Sequence, residues 1–404
     1  MSISIAEQIG LLKRCISDGP DLGGELKRRG LSYDDLRYRD PEPHGDLFRG
    51  SSLSGDGVGL EACRRPMHDT PTVSFFSGCG GLDIGFEYAG FRNLVAIEKN
   101  ALFCRTLRGN GCVGRVIGPP DHAGDARRRE EIVDLLQSEI GHSKRGFRGV
   151  FHGGPPCQSF SIAANQRFSK NGSNFKRIGF SNGDYGTLLY DYVYFIERFR
   201  PAVFLIENVA GLLTVDDGGQ LSDALARLDG AGYVITDPVV LNAAEHQIPQ
   251  NRLRVFIVGH RRHSHPFVFP KPLRFKVPCG RVFEKPIAAV PNHVTRRHKP
   301  ESILRYMELG FGERDHLGRV DRLDPRLPSK TVIAGGSNGG GRSHLHPFIP
   351  RTLSVRECAR LQTFPDSYVF FGTSARQFTQ VGNAVPPLLG FHLACGIHDQ
   401  LFER

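Results

Sequence analysis

Short runs of apolar and β-branched residues recur through the middle of the chain, and most are bounded by glycine or polar residues. These runs predict strands, and helix-length segments separate most of them. Strands that alternate with helices indicate an α/β fold with a mostly parallel sheet and helices on both faces. In such a sheet the ligand lies at the carboxyl ends of the strands. The predicted strands are TVSFF (72–76), LVAIE (94–98), RGVFHGG (148–154), AVFLIENV (202–209), YVITDPVVL (233–241) and RVFIVGH (254–260).

The flanking regions lack this alternation and indicate the domain boundaries. Ile5, Ile9, Leu12 and Ile16 have helical spacing, whereas 41–71 is rich in Pro, Gly and Ser and is typical of a linker. Further along, a stretch rich in Pro, Gly and Arg separates the last predicted strand from a regular C-terminal tail. We therefore expect an N-terminal extension and linker (1–70), an α/β domain (71–260), a smaller irregular domain (261–350) and a segment completing the α/β domain (351–404).

The composition is that of an ordinary globular protein. Hydrophobic residues make up 39% and charged residues 23% of the 404 positions. No apolar run approaches the ~20 residues of a membrane helix. The start lacks the basic-then-apolar layout of a secretion signal, so we expect a cytoplasmic location. The nine cysteines include no C-x-x-C pair and are odd in number, which predicts free thiols and no metal site.

The positive charge is concentrated in one region. The net charge is +10, and residues 261–351 carry 18 Lys and Arg against 7 Asp and Glu. Such a stripe is expected of a protein that binds a phosphate backbone. An arginine-rich face that is merely solvated would have the same composition, so charge alone leaves both interpretations open.

A glycine-rich turn between the first strand and a helix predicts a cofactor site. In FSGCGG (76–81), Gly78, Gly80 and Gly81 permit a tight backbone and close approach of a ligand to the free N–H groups of the helix start. Glu98 ends the next strand, 20 residues after Gly78, where a carboxylate can accept bonds from ribose hydroxyls. Asp125, in HAGDAR, could bind an adenine amino group or cap the following helix. The combination indicates an adenosine-containing cofactor.

GGPPCQSFS (153–161) places a cysteine behind two prolines at the end of a strand. The prolines restrict the backbone, and a thiolate at Cys157 would be a nucleophile held in a set position. The polar run after it suits a loop that closes over a bound polyanion. Taken alone, such a cysteine is more often an inert buried thiol.

Two further motifs supply charged groups. IENV (206–209) places Glu207 at the end of an apolar strand, where burial can raise its pKa so that it donates a proton near neutrality. A helix cap or an ion pair is the alternative. QNRLR (250–254) places Gln250, Arg252 and Arg254 at alternate positions as a strand begins, which predicts that all three share one face. Two guanidinium groups there could hold a carboxylate, a phosphate or a base oxygen.

Taken together, these motifs resemble those of the C5-cytosine DNA methyltransferases of the prokaryotic modification type. The resemblance covers 72–260 and 350–404, and it departs from the family at Tyr185, where the family often has Arg. It implies a Rossmann-like S-adenosylmethionine-dependent methyltransferase sheet plus a smaller irregular target recognition domain. The similar segments, in the family's order, are FSGCGG, GGPPCQSFS, IENV, QNRLR, RTLSVRECARLQTFPDSY (351–368) and QVGNAVPPLLG (380–390).

The resemblance implies the chemistry of each matched residue. Cys157 would attack C6 of cytosine, Glu207 would contact N3 and the exocyclic amine, and Arg252 and Arg254 would hold the base oxygen and its surroundings. The cofactor would be S-adenosylmethionine, with no metal. The residues implied to bind it are Phe76, Gly78, Gly80, Gly81, Glu98, Asp125, Pro156, Leu188 and Asn383.

The resemblance also implies the partners. The substrate would be double-stranded DNA with the target base flipped out of the stack, and the basic 261–350 region would recognise the sequence. We further expect a monomer in the bacterial cytosol, associated with the nucleoid through DNA, that is paired with a cognate restriction endonuclease and not with a membrane.

Three other interpretations remain open at this point. The same motifs occur in a branch of the family that methylates transfer RNA. A catalytically silent DNA-binding protein could retain the scaffold, although intact Cys157, Glu207, Arg252 and Arg254 argue against it. Charge and the α/β pattern alone would also fit a nucleotide-dependent oxidoreductase, which NAD in the cofactor site would support.

Overall fold

The computed structural model describes residues 3–39, 59–141, 143–156, 188–214, 218–334 and 344–403. In these ranges the helices are α1 (Ile5–Ser17), α2 (Leu22–Arg28), α3 (Gly81–Tyr88), α4 (Ala101–Asn110), α5 (Arg129–Ile140), α6 (Leu188–Phe199), α7 (Gly219–Gly230), α8 (Pro300–Met307), α9 (Val355–Leu361), α10 (Ser374–Asn383) and α11 (Pro387–Leu401). The strands are β1 (Pro71–Phe75), β2 (Arg92–Ile97), β3 (Arg115–Ile117), β4 (Val150–Gly153), β5 (Val203–Asn208), β6 (Val234–Ile235), β7 (Val239–Asn242), β8 (Leu253–His260), β9 (Arg314–Asp315), β10 (Val320–Arg322) and β11 (His344–Leu345).

The described chain divides into two compact units. The large unit contains Leu60–His246, Arg252–Leu273 and Ala384–Arg404. The small unit contains Met1–Gly59, Gln247–Asn251 and Arg274–Asn383.

The large unit is built on an eight-stranded mixed sheet. Its order is β3-β2-β1-β4-β5-β8-β6, and β7 also pairs with β8. The strands from β3 to β5 run parallel, whereas β8 is antiparallel to β5 and to both β6 and β7. The expected Rossmann-like α/β fold is confirmed. The antiparallel β8 brings the beginning of that strand to the edge where β5 ends.

Aromatic side chains form the core on one face of this sheet. Phe75 on β1 lies 5.2 Å from Phe151 on β4 and 5.1 Å from both Tyr192 and Phe195 on α6, measured between ring centroids. All four are fully buried. Strands buried on both faces read as continuous apolar runs, which is why the sequence predicted these strands.

On the other face, α3 and α11 approach each other through glycine. A Cβ atom on Gly85 would lie 2.6 Å from both the Gly390 carbonyl carbon and the Pro387 carbonyl oxygen. His152 of β4 is fully buried on this side and stacks on Phe86 of α3, with ring centroids 4.4 Å apart. The close packing holds α3, and with it the glycine-rich turn that precedes it.

The small unit departs from the expected boundaries at both ends of the chain. Residues 3–39 do not form a separate extension, because the apolar faces of α1 and α2 share a buried cluster with Ile303 and Met307 of α8. The C-terminal region 351–404, expected to complete the α/β domain, is divided. Its part up to Asn383 belongs to the small unit, and only the part from Ala384, which carries α11, belongs to the large unit.

Among the described residues, no helix is both long enough and apolar enough to cross a membrane.

Candidate active site

The glycine-rich turn has the tight backbone, with positive φ at two glycines, that its sequence predicted. Gly78 and Gly80 have φ angles of 57° and 84°, and Gly80 precedes the first residue of α3. A Cβ atom on Gly78 would meet open space, so the room beside this residue is available to a ligand. The Gly78 N–H donates to Glu98 Oε2 at 2.8 Å, which joins the turn to the end of β2.

Glu98 is placed to hold the turn as well as a ligand. Its second oxygen, Oε1, accepts a bond from the Asn100 N–H at 2.7 Å. Burial raises the pKa of Glu98 to about 7, and the backbone donors at Asn100 and Gly78 oppose that shift. A carboxylate has about four lone-pair sites, so Glu98 keeps acceptor capacity for a hydroxyl group such as that of a ribose.

Asp125 is ion-paired with two cations. Its carboxylate contacts Arg127 at 2.7 Å and Lys99 at 2.8 Å, and hydrogen bonding to Arg127 is the main cause that lowers its pKa. The alternative of a helix cap is wrong, because α5 begins at Arg129 and its N-cap residue is Arg128. Contact with an adenine amino group stays a prediction.

The remaining residues that were predicted to bind the cofactor differ in backbone conformation, packing and exposure. Phe76 has a φ of 54° and lies edge-on to Tyr192 of α6, with ring centroids 6.3 Å apart. Gly81 is small for a packing reason, because a Cβ there would collide with the Val385 carbonyl oxygen. Leu188 is buried at the start of α6, and Pro156 is exposed after β4. Asn383 is exposed at the end of α10, in the small unit.

The loop that leads to the predicted nucleophile is anchored by Asn208. Cys157 itself lies outside the described residues. Asn208 is buried at the end of β5, and its Nδ2 donates to the Pro155 carbonyl oxygen at 2.9 Å. Its Oδ1 accepts from the Val209 N–H at 2.8 Å. Asn208 was not among the predicted site residues, although its place in the IENV motif was a usable signal.

Glu207 and Arg254 form a largely buried ion pair at the carboxyl edge of β5. Arg254 Nε lies 3.0 Å from Glu207 Oε1, and the two side chains are only 14% and 13% exposed. Glu207 and Phe256 are register partners on β5 and β8, which puts Arg254 beside the end of β5. A Cβ on Gly154 would collide with the other Glu207 oxygen, Oε2, so the backbone before Pro155 lies against this carboxylate.

The shared face predicted for Gln250, Arg252 and Arg254 stays a prediction, because β8 begins only at Leu253 and both Gln250 and Arg252 lie before it. The Gln250 side chain is fully buried, accepts a bond from the Val332 N–H at 2.8 Å and donates to Gln362 Oε1 at 3.2 Å. It supports the small unit.

Arg252 is more deeply buried than Arg254, and the whole residue is only 1% exposed. Its backbone is fixed on both sides: the N–H donates to Asn242 Oδ1 at 3.1 Å, and the carbonyl accepts from the Ala243 N–H at 3.0 Å. Burial lowers the pKa of Arg252, Arg254 adds to this, and Glu207 opposes it. An arginine starts from so high a pKa that it stays charged at neutral pH.

Burial dominates the electrostatics of Glu207. It raises the pKa of this carboxyl above its usual value, while Arg254 and Arg252 offset part of the rise. A carboxyl in this state can hold a proton for a ring nitrogen and still accept from an amine. The edge of the sheet therefore offers one poised carboxyl and two fixed cations next to the loop that carries Cys157.

A metal-ligating arrangement occurs elsewhere in the described chain. His398, Asp399 and Glu403 have ligand atoms within 4.8 Å of one another at the end of α11. Arg65 already occupies Asp399 with two hydrogen bonds. None of these residues was predicted as part of the site, and the expectation that the enzyme needs no metal stays a prediction.

The Rossmann-like sheet and the charged groups at its edge agree with the methyltransferase class that the motifs predicted. The family profile described as C-5 cytosine-specific DNA methylase matches residues 71–398. The chain belongs to this family, and it is a DNA cytosine-5 methyltransferase.

Relatives and solved structures agree with this assignment. The Type II methyltransferase M.MthTI of Methanothermobacter thermautotrophicus is 34% identical over 352 residues, which cover 81% of this chain and 97% of that protein. M.DdeI of Desulfomicrobium norvegicum is 29% identical over 390 residues, with coverages of 80% and 87%. The crystal structure described as a DNA modification methyltransferase from an E. coli prophage has a TM-score of 0.67 at 23% identity, and covers 83% of this chain and 100% of its own. At this identity the structural likeness shows the fold.

Proposed function

We propose that this enzyme transfers the methyl group of S-adenosylmethionine to C5 of a flipped cytosine in a short, specific duplex sequence, through a covalent adduct of Cys157. The observation that carries the proposal is the Glu207–Arg254 pair at 3.0 Å, beside the Asn208–Pro155 bond that anchors the loop entering Cys157. These contacts join three predicted motifs at one edge of the sheet.

In this proposal each of the four catalytic residues has a defined task. The Cys157 thiolate forms a bond to C6, and the ring electrons that leave the C5–C6 bond make C5 nucleophilic. Glu207 contacts N3 and the exocyclic amine and stabilises the charge that develops there, while Arg254 and Arg252 hold the carboxylate and the base oxygen. C5 would take the methyl group, with the cofactor leaving as the neutral thioether S-adenosylhomocysteine. A base then removes the C5 proton, and the C6–S bond breaks to restore the thiolate.

The cofactor residues of this chain suit a sulfonium nucleoside. S-adenosylmethionine supplies an electrophilic methyl group to C5. Gly78 offers open space at the turn, and Glu98 retains acceptor sites for a ribose. Glu98, Asp125, Phe76 and Gly80 would then bind the nucleoside, while Pro156 and Leu188 would complete its enclosure, and the cofactor contact of Asn383 stays a prediction from the sequence. The site as proposed contains no metal.

The partners follow from the same proposal. The small unit, with the basic residues beyond Arg274, would contact the phosphate backbone and read the sequence. The target base would have to leave the stack, at a cost of a few kcal/mol, because Glu207 and Cys157 cannot reach it within a duplex. The names of the relatives support a modification enzyme. We propose that it acts as a monomer in the bacterial cytoplasm, on nucleoid DNA, beside a cognate restriction endonuclease.

Base-resolution mapping of 5-methylcytosine tests this proposal. Plasmid DNA is recovered from a methylation-free host that expresses the wild-type chain, Cys157→Ser or Cys63→Ser. We expect methylation at one short motif from the wild type and from Cys63→Ser, whose thiol lies outside the site, and none from Cys157→Ser. Unmethylated plasmid alongside intact wild-type protein would contradict the proposal and direct the next assay to transfer RNA.

The adduct is tested separately with duplex DNA that carries 5-fluorocytosine in the mapped motif. This base has no C5 proton to lose, so the C6–S bond cannot be released after methyl transfer. We expect a denaturation-resistant complex with the wild type and none with Cys157→Ser. Methylation of normal DNA without any such complex would exclude the covalent route.

A further inference from the structure

The N-terminal residues lie outside the matched family region, yet they are built into the small unit. The family profile begins at residue 71, whereas α1 and α2 bury their apolar side chains against Ile303 and Met307 of α8. Without them, the apolar face of α8 would be exposed to water, at a cost of about 25 cal/mol per Å².

Gln8 makes the most specific of these contacts. It is fully buried, and its Nε2 lies 2.9 Å from the Arg37 carbonyl oxygen and 3.0 Å from Met307 Sδ. Its Oε1 accepts from the Arg37 N–H at 2.9 Å. One side chain therefore ties α1 both to the end of the N-terminal segment and to the last residue of α8.

Two other residues, Asp34 and Tyr38, fix the same segment. Asp34 lies 2.6 Å from Arg351 Nε, and Arg351 is also held by Glu357 at 2.8 Å. The Tyr38 hydroxyl donates to the His346 carbonyl oxygen at 2.8 Å. The Tyr38 ring packs under Arg322, whose guanidinium carbon is 3.6 Å from the ring centroid. The segment is thus bound along its length.

Several arginines of the small unit form ion pairs with acids, but those just before α8 do not. Arg281, Arg305, Arg314 and Arg326 each form an ion pair with a nearby carboxylate. Across the described residues, the exposed side chains of Arg296, Arg297 and Lys299 have no acidic partner within ion-pair distance. This group of three cations, the pre-α8 cluster, is free to bind phosphate.

The pre-α8 cluster is continuous with α8. The Lys299 carbonyl accepts from the Ser302 and Ile303 N–H groups at 3.0 and 3.2 Å, and the His298 ring between the cations lies 3.1 Å from Thr352 Oγ1. Whatever holds α8 therefore also sets the direction of these cations.

We propose that residues 3–39 act in DNA binding as a positioning element: Gln8 holds α8 so that Arg296, Arg297 and Lys299 contact the phosphate backbone. This rests on the proposed DNA substrate. The N-terminal segment itself makes no contact with DNA in this scheme. Gln8 is a positioning residue, and the three cations are the binding groups.

The test measures the affinity of full-length variants for duplex DNA as a function of salt concentration. Removing the cluster, as Arg296→Gln, Arg297→Gln and Lys299→Gln together, should reduce the slope of log K against log salt by about 1 for each phosphate that is no longer neutralised. Gln8→Ala should reduce the slope in the same direction and raise KM for DNA, with kcat and S-adenosylmethionine affinity unchanged. Combining Gln8→Ala with the triple substitution should add nothing further.

The outcomes separate the possibilities. Additive reductions in affinity in the combined variant, or an unchanged slope in the triple variant, would overturn the proposal. Lys13→Gln removes an exposed cation from α1 and is the matched control. A reduction there as large as in the triple variant would mean that α1 itself binds DNA and would overturn the positioning scheme. If Gln8→Ala fails to fold, Tyr38→Phe replaces it in the test, because this variant removes only one hydrogen bond of the same segment.

Failure of the proposed function is distinguishable. Wild-type protein that neither binds nor methylates duplex DNA would defeat both proposals. Wild-type protein that methylates DNA, with a Gln8→Ala variant of identical KM and salt slope, would defeat only this one.

Discussion

Glu207 Oε1 and Arg254 Nε lie 3.0 Å apart because β8 runs antiparallel to β5. The beginning of one strand thereby meets the end of the other. Breaking a buried pair by removing one partner leaves an uncompensated charge. The pair is therefore both a structural contact and the site's main source of oriented charge.

Glu207→Gln tests the carboxyl directly. The amide keeps the shape but cannot exchange a proton with the base or balance Arg254 and Arg252. We expect kcat to fall by on the order of 10²- to 10³-fold, with DNA affinity retained. Steady-state methyl transfer and DNA binding measure the two effects.

Glu197→Gln is the control, because Glu197 forms a more exposed ion pair with Arg227 outside the site, at 2.6 Å. It should leave kcat within about twofold, since exposed pairs contribute only ~0–1 kcal/mol. Equal decreases of kcat in both variants would argue against a catalytic contribution from Glu207.

Asn208→Ala should loosen the loop that enters Cys157. It removes the bond to the Pro155 carbonyl and leaves that acceptor without its partner, at a cost of about 1–3 kcal/mol in the free energy of unfolding. A nucleophile misplaced by ~1 Å can lose ~10²-fold in rate, so kcat should fall by a much larger factor than KM changes. Denaturant unfolding and kinetics give the two numbers. An unchanged kcat would show that this bond does not position the nucleophile.

Glu98 should make the stability of the unliganded protein depend on pH. Its pKa is about 7 in the folded chain against 4.5 as the ordinary value, so the folded state holds a proton that the unfolded state has lost between these pH values. The free energy of unfolding contributed by Glu98 is therefore present below about pH 4.5 and is lost as pH rises toward 7. Relative to the wild type, Glu98→Gln should gain about 1–3 kcal/mol across this range.

Asp83→Asn is the comparison for Glu98, because burial also raises the pKa of Asp83, to about 6. The gain in the free energy of unfolding of Asp83→Asn over the wild type should stop increasing about one pH unit below the point at which that of Glu98→Gln does. Thermal unfolding from pH 4.5 to 8 resolves the two variants. If the Glu98→Gln curve runs parallel to the wild-type curve, Glu98 is already charged throughout this range.

The affinity for S-adenosylmethionine should depend on pH through the ionisation of Glu98. Ribose hydroxyls donate to the charged carboxylate, so binding below pH 7 expels its proton and Kd should tighten by up to about tenfold per pH unit as pH rises. Above pH 7 the curve should flatten. Calorimetric titration of the wild type and Glu98→Gln measures this, and a variant that keeps the full pH dependence would assign it to another group.

Gly85→Ala should destabilise the large unit. The added Cβ would lie 2.6 Å from backbone atoms of Pro387 and Gly390, which cannot move aside as a side chain could. Overpacking of this kind costs about 1–3 kcal/mol. Gly230→Ala, where nothing lies within 4 Å, should be neutral or stabilising. Thermal midpoints of the two variants measure the difference, and equal midpoints would mean that α3 and α11 adjust freely.

Local patterns predicted much of the sheet. Short buried strands such as β1, β4 and β5 read directly as apolar runs, since both of their faces are covered. The predicted strand 233–241 is in fact two strands: β6 ends before Asp237 and Pro238, and β7 begins after them. Proline removes a donor from the ladder, and this interruption was visible in the sequence. β3 was missed because three residues give no period to detect.

The order and spacing of the motifs were sufficient to predict the class of enzyme, because a glycine turn, a prolyl cysteine and a strand-ending acid are local features, and the roles of the individual site residues stay predictions. What tertiary structure alone decided is which of them meet. A parallel β8 would have put Arg254 at the opposite edge from Glu207, and the antiparallel pairing reverses this. Likewise, only packing reveals that Gln250 supports the small unit and that Gln8 reaches Met307, 299 positions along the chain. Local sequence carries conformational preference, whereas contacts between distant residues depend on how the whole chain buries its apolar surface.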